Sequence, residues 1–172
     1  GLNCSRPPFN NIKVRQALNY AIDKENIILW LFNGKGTPAS GPIPPELLGE
    51  TTPLYHYDPQ KARKMLVEAG YKDGFKASLW QSQSQENSLI TEVIQSQLEK
   101  IGISITIKQN DWNMFTQAIR EGTPDMYYRS WYADYPDAEN FLSPLFESQI
   151  SKTRWTRYNN PELDSLIIQL QK

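Results

Sequence analysis

The apolar positions of the chain fall into short periodic stretches separated by strong stop signals. In "NNIKVRQALNYAI", Val14, Ala17, Leu18 and Ala21 recur at i, i+3, i+4 and i+7, one face of a helix. Asp23 is placed to cap a second helix carrying Ile27, Ile28 and Leu31, which Asn33-Gly34 ends. Its "IILWLF" is the most apolar run of the chain and reads as a buried helical turn. Residues 34–57 are rich in proline and glycine and predict a long irregular excursion, pinned against the body of the fold. Asp58-Pro59 opens the next helix, with Ala62, Met65, Leu66 and Ala69 as its stripe and Gly70 as its stop.

The period then changes. "FKASLWQS" reads as a strand with Phe75, Ala77 and Leu79 on one face. A helix from Glu86 to Ile101 follows, turning Leu89, Ile90, Val93, Ile94, Leu98 and Ile101 inward and ending at Gly102. "ISITIK" alternates, with Ile103, Ile105 and Ile107 on the buried side. Strand, helix, strand in close succession predicts a crossover and a parallel, adjacent pair. Asn110-Asp111 starts a helix bearing Trp112, Phe115, Ala118 and Ile119, stopped at Gly122. "DMYYRSW" is a third strand candidate, and Asn160-Pro161 starts a last helix with Leu163, Leu166, Ile167 and Leu170. The expected class is α/β, a small mixed sheet flanked by helices, with no internal repeat.

Composition narrows the function classes. At 172 residues the chain is long enough for one cored domain or one lobe of a larger protein. A net charge of −1 offers no basic field for nucleic acid or an anionic membrane surface. No apolar run approaches the roughly 20 residues that span a bilayer. The lone cysteine, Cys4, excludes an internal disulfide and a cysteine-based zinc cluster. The lone histidine, His56, lies between Tyr55 and Tyr57, which suggests packing. There is no G-x-S-x-G elbow, no Walker loop and no G-x-G-x-x-G after a strand. Asp134, Asp137 and Glu139 lack the spacing and central glycine of a calcium loop. The residues call for no cofactor, no metal and no catalytic group.

The densest recognition chemistry is "RSWYADYPDAENFL", from Arg129 to Leu142. It follows a predicted strand, where ligands of open α/β sheets bind. Trp131 offers a flat wall, and Asp134 an acceptor for a cation such as an ammonium group. Asp137 is placed to cap a helix holding Asn140, Phe141, Leu142 and Leu145. The same residues equally make a core tryptophan, a turn and a cap.

"RPPFNNIKVRQALNYAIDKENI", "YDPQKARKMLVEAGY", "RSWYADYPDAENFL" and "RYNNPELDSLI" occur here in that order. In this the chain resembles the substrate-binding proteins of bacterial oligopeptide and dipeptide ABC importers, solute-binding protein family 5. The resemblance implies one lobe of a two-lobed periplasmic-binding-protein (type II-like) fold that closes over its ligand by a hinge. Residues 1–172 would be most of the C-terminal lobe, with the first lobe, the hinge and the C-terminal end absent. It implies an extracytoplasmic protein, in the periplasm or at the cell surface, reaching the membrane only through an anchor outside this chain. It implies a peptide ligand, an importer permease as partner, and no catalysis.

The family's W-x-x-D segment holds the peptide α-amino group, which maps onto Trp131 and Asp134, with Trp112 resembling a second pocket tryptophan. The family's arginines that meet carboxylates fall at Ile119 and Tyr128, with Arg120 and Arg129 each one residue away. A one-residue shift along a strand reverses the side chain, which would turn Arg129 from the site, so Tyr128 and Arg129 enter the candidate set together. Other ligands seen in the family, nickel chelates, haem and oligosaccharides, stay open. So does a ligand-sensing domain of a transcriptional regulator built on the same lobe. The lobe alone is expected to bind weakly and to self-associate through its uncovered cleft face.

Overall fold

The structure, a computed structural model, describes residues 1–49 and 54–170. Residues 50–53, within the proline-rich excursion, and 171–172, at the end of the last expected helix, lie outside the described residues.

Helix α1 (Ile12–Ala21) starts where the Asn11 side chain accepts the Lys13 N–H, and it buries Val14, Ala17, Leu18 and Ala21 as their spacing requires. Helix α2 (Lys24–Leu31) is capped by Asp23. It buries no residue fully: Trp30 is 77% exposed and Leu29 55%, so "IILWLF" is a surface turn rather than a buried one. Among its described residues, the proline-rich excursion contains one short helix, α3 (Pro45–Leu48). It is pinned near its end, where the Tyr55 ring meets Tyr20 edge-on at 5.0 Å and the Asp58 N–H donates to the Tyr20 carbonyl. His56 is exposed, not packed. Helix α4 (Pro59–Glu68), capped by the Asp58 carboxylate, buries Ala62 and Leu66 and packs on α1.

Strand β1 (Phe75–Ser82), helix α5 (Gln85–Glu99) and strand β2 (Ile103–Asn110) form the expected crossover. The strands pair in parallel, in register from Phe75–Ile103 to Ser82–Asn110. Gly74 and Gly102 let them begin back to back, because a Cβ on Gly74 would stand 1.7 Å from the Gly102 carbonyl oxygen. Helix α6 (Trp112–Glu121) leads to β3 (Met126–Tyr127), which pairs in parallel with the other edge of β1, giving the order β2-β1-β3. The three strands are thus all parallel, and the antiparallel pairing of the expected mixed sheet is confined to a bridge from Leu2 to Met126. "DMYYRSW" is a strand for only two residues. Beyond Tyr127 one further bond, from the Tyr128 N–H to the Trp80 carbonyl, holds the chain before it leaves the sheet.

The sheet separates two cores. Leu79 of β1 and Met126 of β3 join Ile103, Ile105, Leu66, Leu98 and Val14 on the face covered by α1, α4 and α5. Their strand neighbours Trp80 and Tyr127 face the other way, toward Phe115, Ile119 and Trp155. That alternation follows from the two-residue period of the strand. Three more helices, α7 (Glu139–Phe146), α8 (Ser148–Arg154) and α9 (Pro161–Leu170), build out the second side. The inward stripes fit less well at the edges: Leu89, Leu166 and Leu170 are exposed.

Candidate functional site at the strand ends

The carboxyl ends of all three strands open onto one surface. Ser82 ends β1, Trp112 begins α6 just after β2, and Arg129 to Tyr132 follow β3; these residues line one open pocket. The neighbouring cavity, about 560 Å³, is walled by Trp112, Trp131 and Trp155 and contains Arg129, with Arg120 and Ile150 at its sides. A small ligand fits a volume of that order.

Local rules place each wall. Asp111 caps α6 by accepting the N–H groups of Asn113 and Met114, which sets Trp112 on the first turn, 52% exposed. At the far end of α6, Gly122 takes the left-handed conformation, and the Arg157 guanidinium lies across it, donating to the Ile119 and Arg120 carbonyls. Trp131 donates its indole N–H to the Asn140 carbonyl at 3.0 Å and meets Trp155 edge-on at 5.6 Å. Asp137 accepts the Glu139 N–H at the start of α7, although the cap position itself falls one residue later, at Ala138, which has no side-chain cap bond.

Arg129 does not turn from the site. Tyr127 lies on the α6 face, Tyr128 on the opposite one, and Arg129 returns to the first. Its guanidinium carbon stands 4.9 Å from the Trp112 ring centre and 4.4 Å from that of Trp155. Burial lowers its pKa, Tyr127 opposes this, and the nearby Arg120 charge lowers it further, though an arginine remains charged throughout. Tyr128 packs against the first core, beside Leu18, Leu79 and Leu98, and burial pushes its phenol up.

The structure therefore gathers Trp112, Arg129 and Trp131 round one cavity and sets Tyr128 behind the sheet. Asp134 lies outside that lining, exposed, with its backbone N–H held by the Asn140 side-chain oxygen at 3.1 Å. Its carboxylate has no hydrogen-bond partner among the described residues. Two residues escaped the sequence reading. Trp155, the only tryptophan in "SKTRWTRYNN", signals itself by its contrast with polar neighbours. Asn140, buried to 6% exposure, looked like any helix residue.

Known proteins share this architecture. Residues 1–153 match the family described as bacterial extracellular solute-binding proteins, family 5 Middle. Heme-binding protein A of Haemophilus influenzae is 36% identical over 173 residues, covering 96% of this chain and 32% of that protein. Glutathione-binding protein GsiB of Salmonella paratyphi A is 36% identical over 174 residues, covering 95% and 34%. The crystal structure of a dipeptide-binding protein from Pseudoalteromonas sp. SM9913, in complex with Met-Leu, superposes with a TM-score of 0.87 at 38% identity, covering 97% and 35%. The chain thus spans about a third of the length of these relatives. With the motifs in order, the fold shared and the match running over most of its length, this chain belongs to family 5 of the bacterial extracellular solute-binding proteins.

Proposed function

We propose that this chain is most of the C-terminal lobe of an extracytoplasmic solute-binding protein that delivers peptide to an ABC importer. The observation that carries the reading is the open aromatic cavity at the ends of all three strands, with an unpaired carboxylate beside it. Such a surface is one wall of a site. Ligand fills it, a facing lobe closes by a hinge motion, and water is excluded. No helix among the described residues is long and apolar enough to cross a membrane. Contact with the membrane is assigned to the importer permease and to an anchor outside this chain. The role is binding without catalysis, and no cofactor takes part. Peptide is preferred to haem because the described cavity lining includes no His, Met or Cys for an iron.

Within that site Trp131 is the wall, and Asp134 takes the peptide ammonium. Asn140 already fixes the backbone of Asp134, so its carboxylate can meet a cation with little loss of freedom. In the intact protein Asp134→Asn removes the charge and keeps the shape. The loss is about 2–5 kcal/mol, much of it from leaving the ammonium unpaired. Calorimetry with a free-amine peptide and its N-acetylated form tests the pairing. Acetylation weakens wild-type binding strongly and mutant binding little, because both changes delete the same interaction. Unchanged affinity of the mutant for the free amine rules the pairing out.

A further inference from the structure

We infer that Ser82 and Asn87 form an uncharged subsite that reads the main chain of one extended ligand residue: the Ser82 hydroxyl donates to its carbonyl, and the Asn87 side-chain oxygen accepts its N–H. This deepens the proposed peptide-binding reading and rests on it for the class of ligand.

Both residues lie where β1 turns into α5, and both line the strand-end pocket beside Trp112 and Trp131. Ser84 caps α5 by accepting the Asn87 N–H, which holds Asn87 over the end of β1. There the Asn87 amide nitrogen donates to the Ser82 carbonyl at 3.1 Å and to the Ser82 hydroxyl oxygen at 3.0 Å. A carbonyl only accepts, so the nitrogen has to be the end of the amide that faces Ser82. The Asn87 oxygen is the end left over, and it has no hydrogen-bond partner among the described residues. The Ser82 hydroxyl serves as an acceptor, and its own hydrogen has no acceptor among them. On the buried side of the same turn the polar groups pair with one another. Gln81, fully buried, accepts the Thr91 hydroxyl at 2.9 Å, and the Ser88 hydroxyl takes the Gln81 and Gln109 amides at 3.3 and 2.7 Å. These bonds tie α5 to both strands, so an unmatched pair stands on a matched frame.

One donor and one acceptor side by side, neither charged, complement a single residue of an extended chain, whose N–H and C=O both point toward the same neighbour. Ser82 and Asn87 are half-buried, and water meets both groups while the lobe is open. Closure of a facing lobe removes that water, and each group then left unmatched costs free energy. A ligand that brings a carbonyl and an N–H to this point avoids the cost whatever its side chains are. Asp134 is not in the lining of this pocket, so the subsite acts on the ligand separately from the ammonium pairing. It holds the chain of the ligand and is indifferent to its sequence.

A bland role for Asn87 is a brace for the turn after β1. A brace weakens every ligand alike when it is removed, whereas a main-chain contact is felt only by a ligand that has the matching N–H. The test is calorimetry of the intact protein with Ala-Ala-Ala and its two depsipeptides, in each of which one amide N–H is replaced by an ester oxygen. All three carry the same charged termini. Wild type, Asn87→Ala and Ser82→Ala are compared, each variant first checked for a cooperative thermal transition. Wild type should bind one of the esters about 3- to 10-fold more weakly than the peptide, the range of an uncharged hydrogen bond. In Asn87→Ala that penalty should shrink to within about 2-fold, and in Ser82→Ala, which keeps the Asn87 oxygen, it should persist. Equal affinities for all three ligands in wild type, or a penalty that survives in Asn87→Ala or vanishes in Ser82→Ala, overturn the inference. If Ala-Ala-Ala does not bind, the peptide reading fails by itself, and N-acetylalanine N-methylamide, the main chain of one residue without charge, decides the subsite. Titrated into the wild type, it should shift the side-chain amide resonances of Asn87. Absence of that shift overturns the inference.

Discussion

Asp125 shows how one carboxylate can hold an element in place. It accepts the backbone N–H and the hydroxyl of Ser78 on β1, both at 2.8 Å, and pairs with Arg6 at 2.9 Å. It thereby ties the entry of β3 to the central strand and to the N-terminal segment. Burial pushes its pKa up, but the Ser78 bonds and the Arg6 charge outweigh this, and the folded value lies below the ordinary one. A depressed carboxylate stabilises the fold above its unfolded pKa, about 3.9, and that contribution is lost as pH falls through the lower folded value. Asp125→Ala should therefore destabilise the protein at neutral pH by about 1–3 kcal/mol, chiefly through the stranded Ser78 donors. Denaturant melts repeated below about pH 4 should show the gap between mutant and wild type closing. A gap that stays constant down to acid pH would mean that the ionised state of Asp125 contributes nothing.

Among the elements, what was legible in the sequence is what local physics decides. The stripe Val14, Ala17, Leu18, Ala21 and the Asp58-Pro59 start are each set within a dozen or so residues, the β1–α5–β2 crossover within one continuous segment from Phe75 to Asn110, and each appears. What was not legible depends on partners distant in the chain. β3 pairs with only Leu79 and Trp80 of β1, and the direction of Arg129 follows from the seating of Tyr127 beside Trp80. "IILWLF" reads as a buried turn by its composition, yet α2 leaves Leu29 and Trp30 exposed. Asn140 belongs to this second kind. From the first turn of α7 it holds the Trp131 indole by its carbonyl and the Asp134 backbone by its side chain. Asn140→Ala leaves the carbonyl and deletes the side-chain bond. Stability should fall by about 1 kcal/mol, and peptide affinity should fall with it, while Asn140→Asp, which keeps an acceptor, should recover most of both. Matched thermal melts and peptide titrations check this. Full affinity in Asn140→Ala would show that Asp134 needs no such brace.

For the molecule as a whole, the proposed reading makes this cavity one wall of a site that a second lobe completes. A ligand resting on it gives up translational freedom in full, while contacts and water exclusion come from one surface. Residues 1–172 by themselves should bind Ala-Glu-Ala at least about 100-fold more weakly than the intact protein. With Trp112 52% exposed, they should also pair with a second copy. Calorimetry and sedimentation of the isolated lobe measure both effects. Binding as tight as that of the intact protein would place the site wholly within this lobe.

The separation of the two cores by the sheet has a consequence for descent. Leu66, Leu98 and Ile103 sit on one side, and Tyr127, Phe115 and Trp155 on the other. Trp112 and Arg129 rest on the second core, against Phe115 and Trp155, so substitutions there leave the first core untouched. On the proposed reading, the side chains lining the cavity can then change while the core under α1, α4 and α5 keeps its packing.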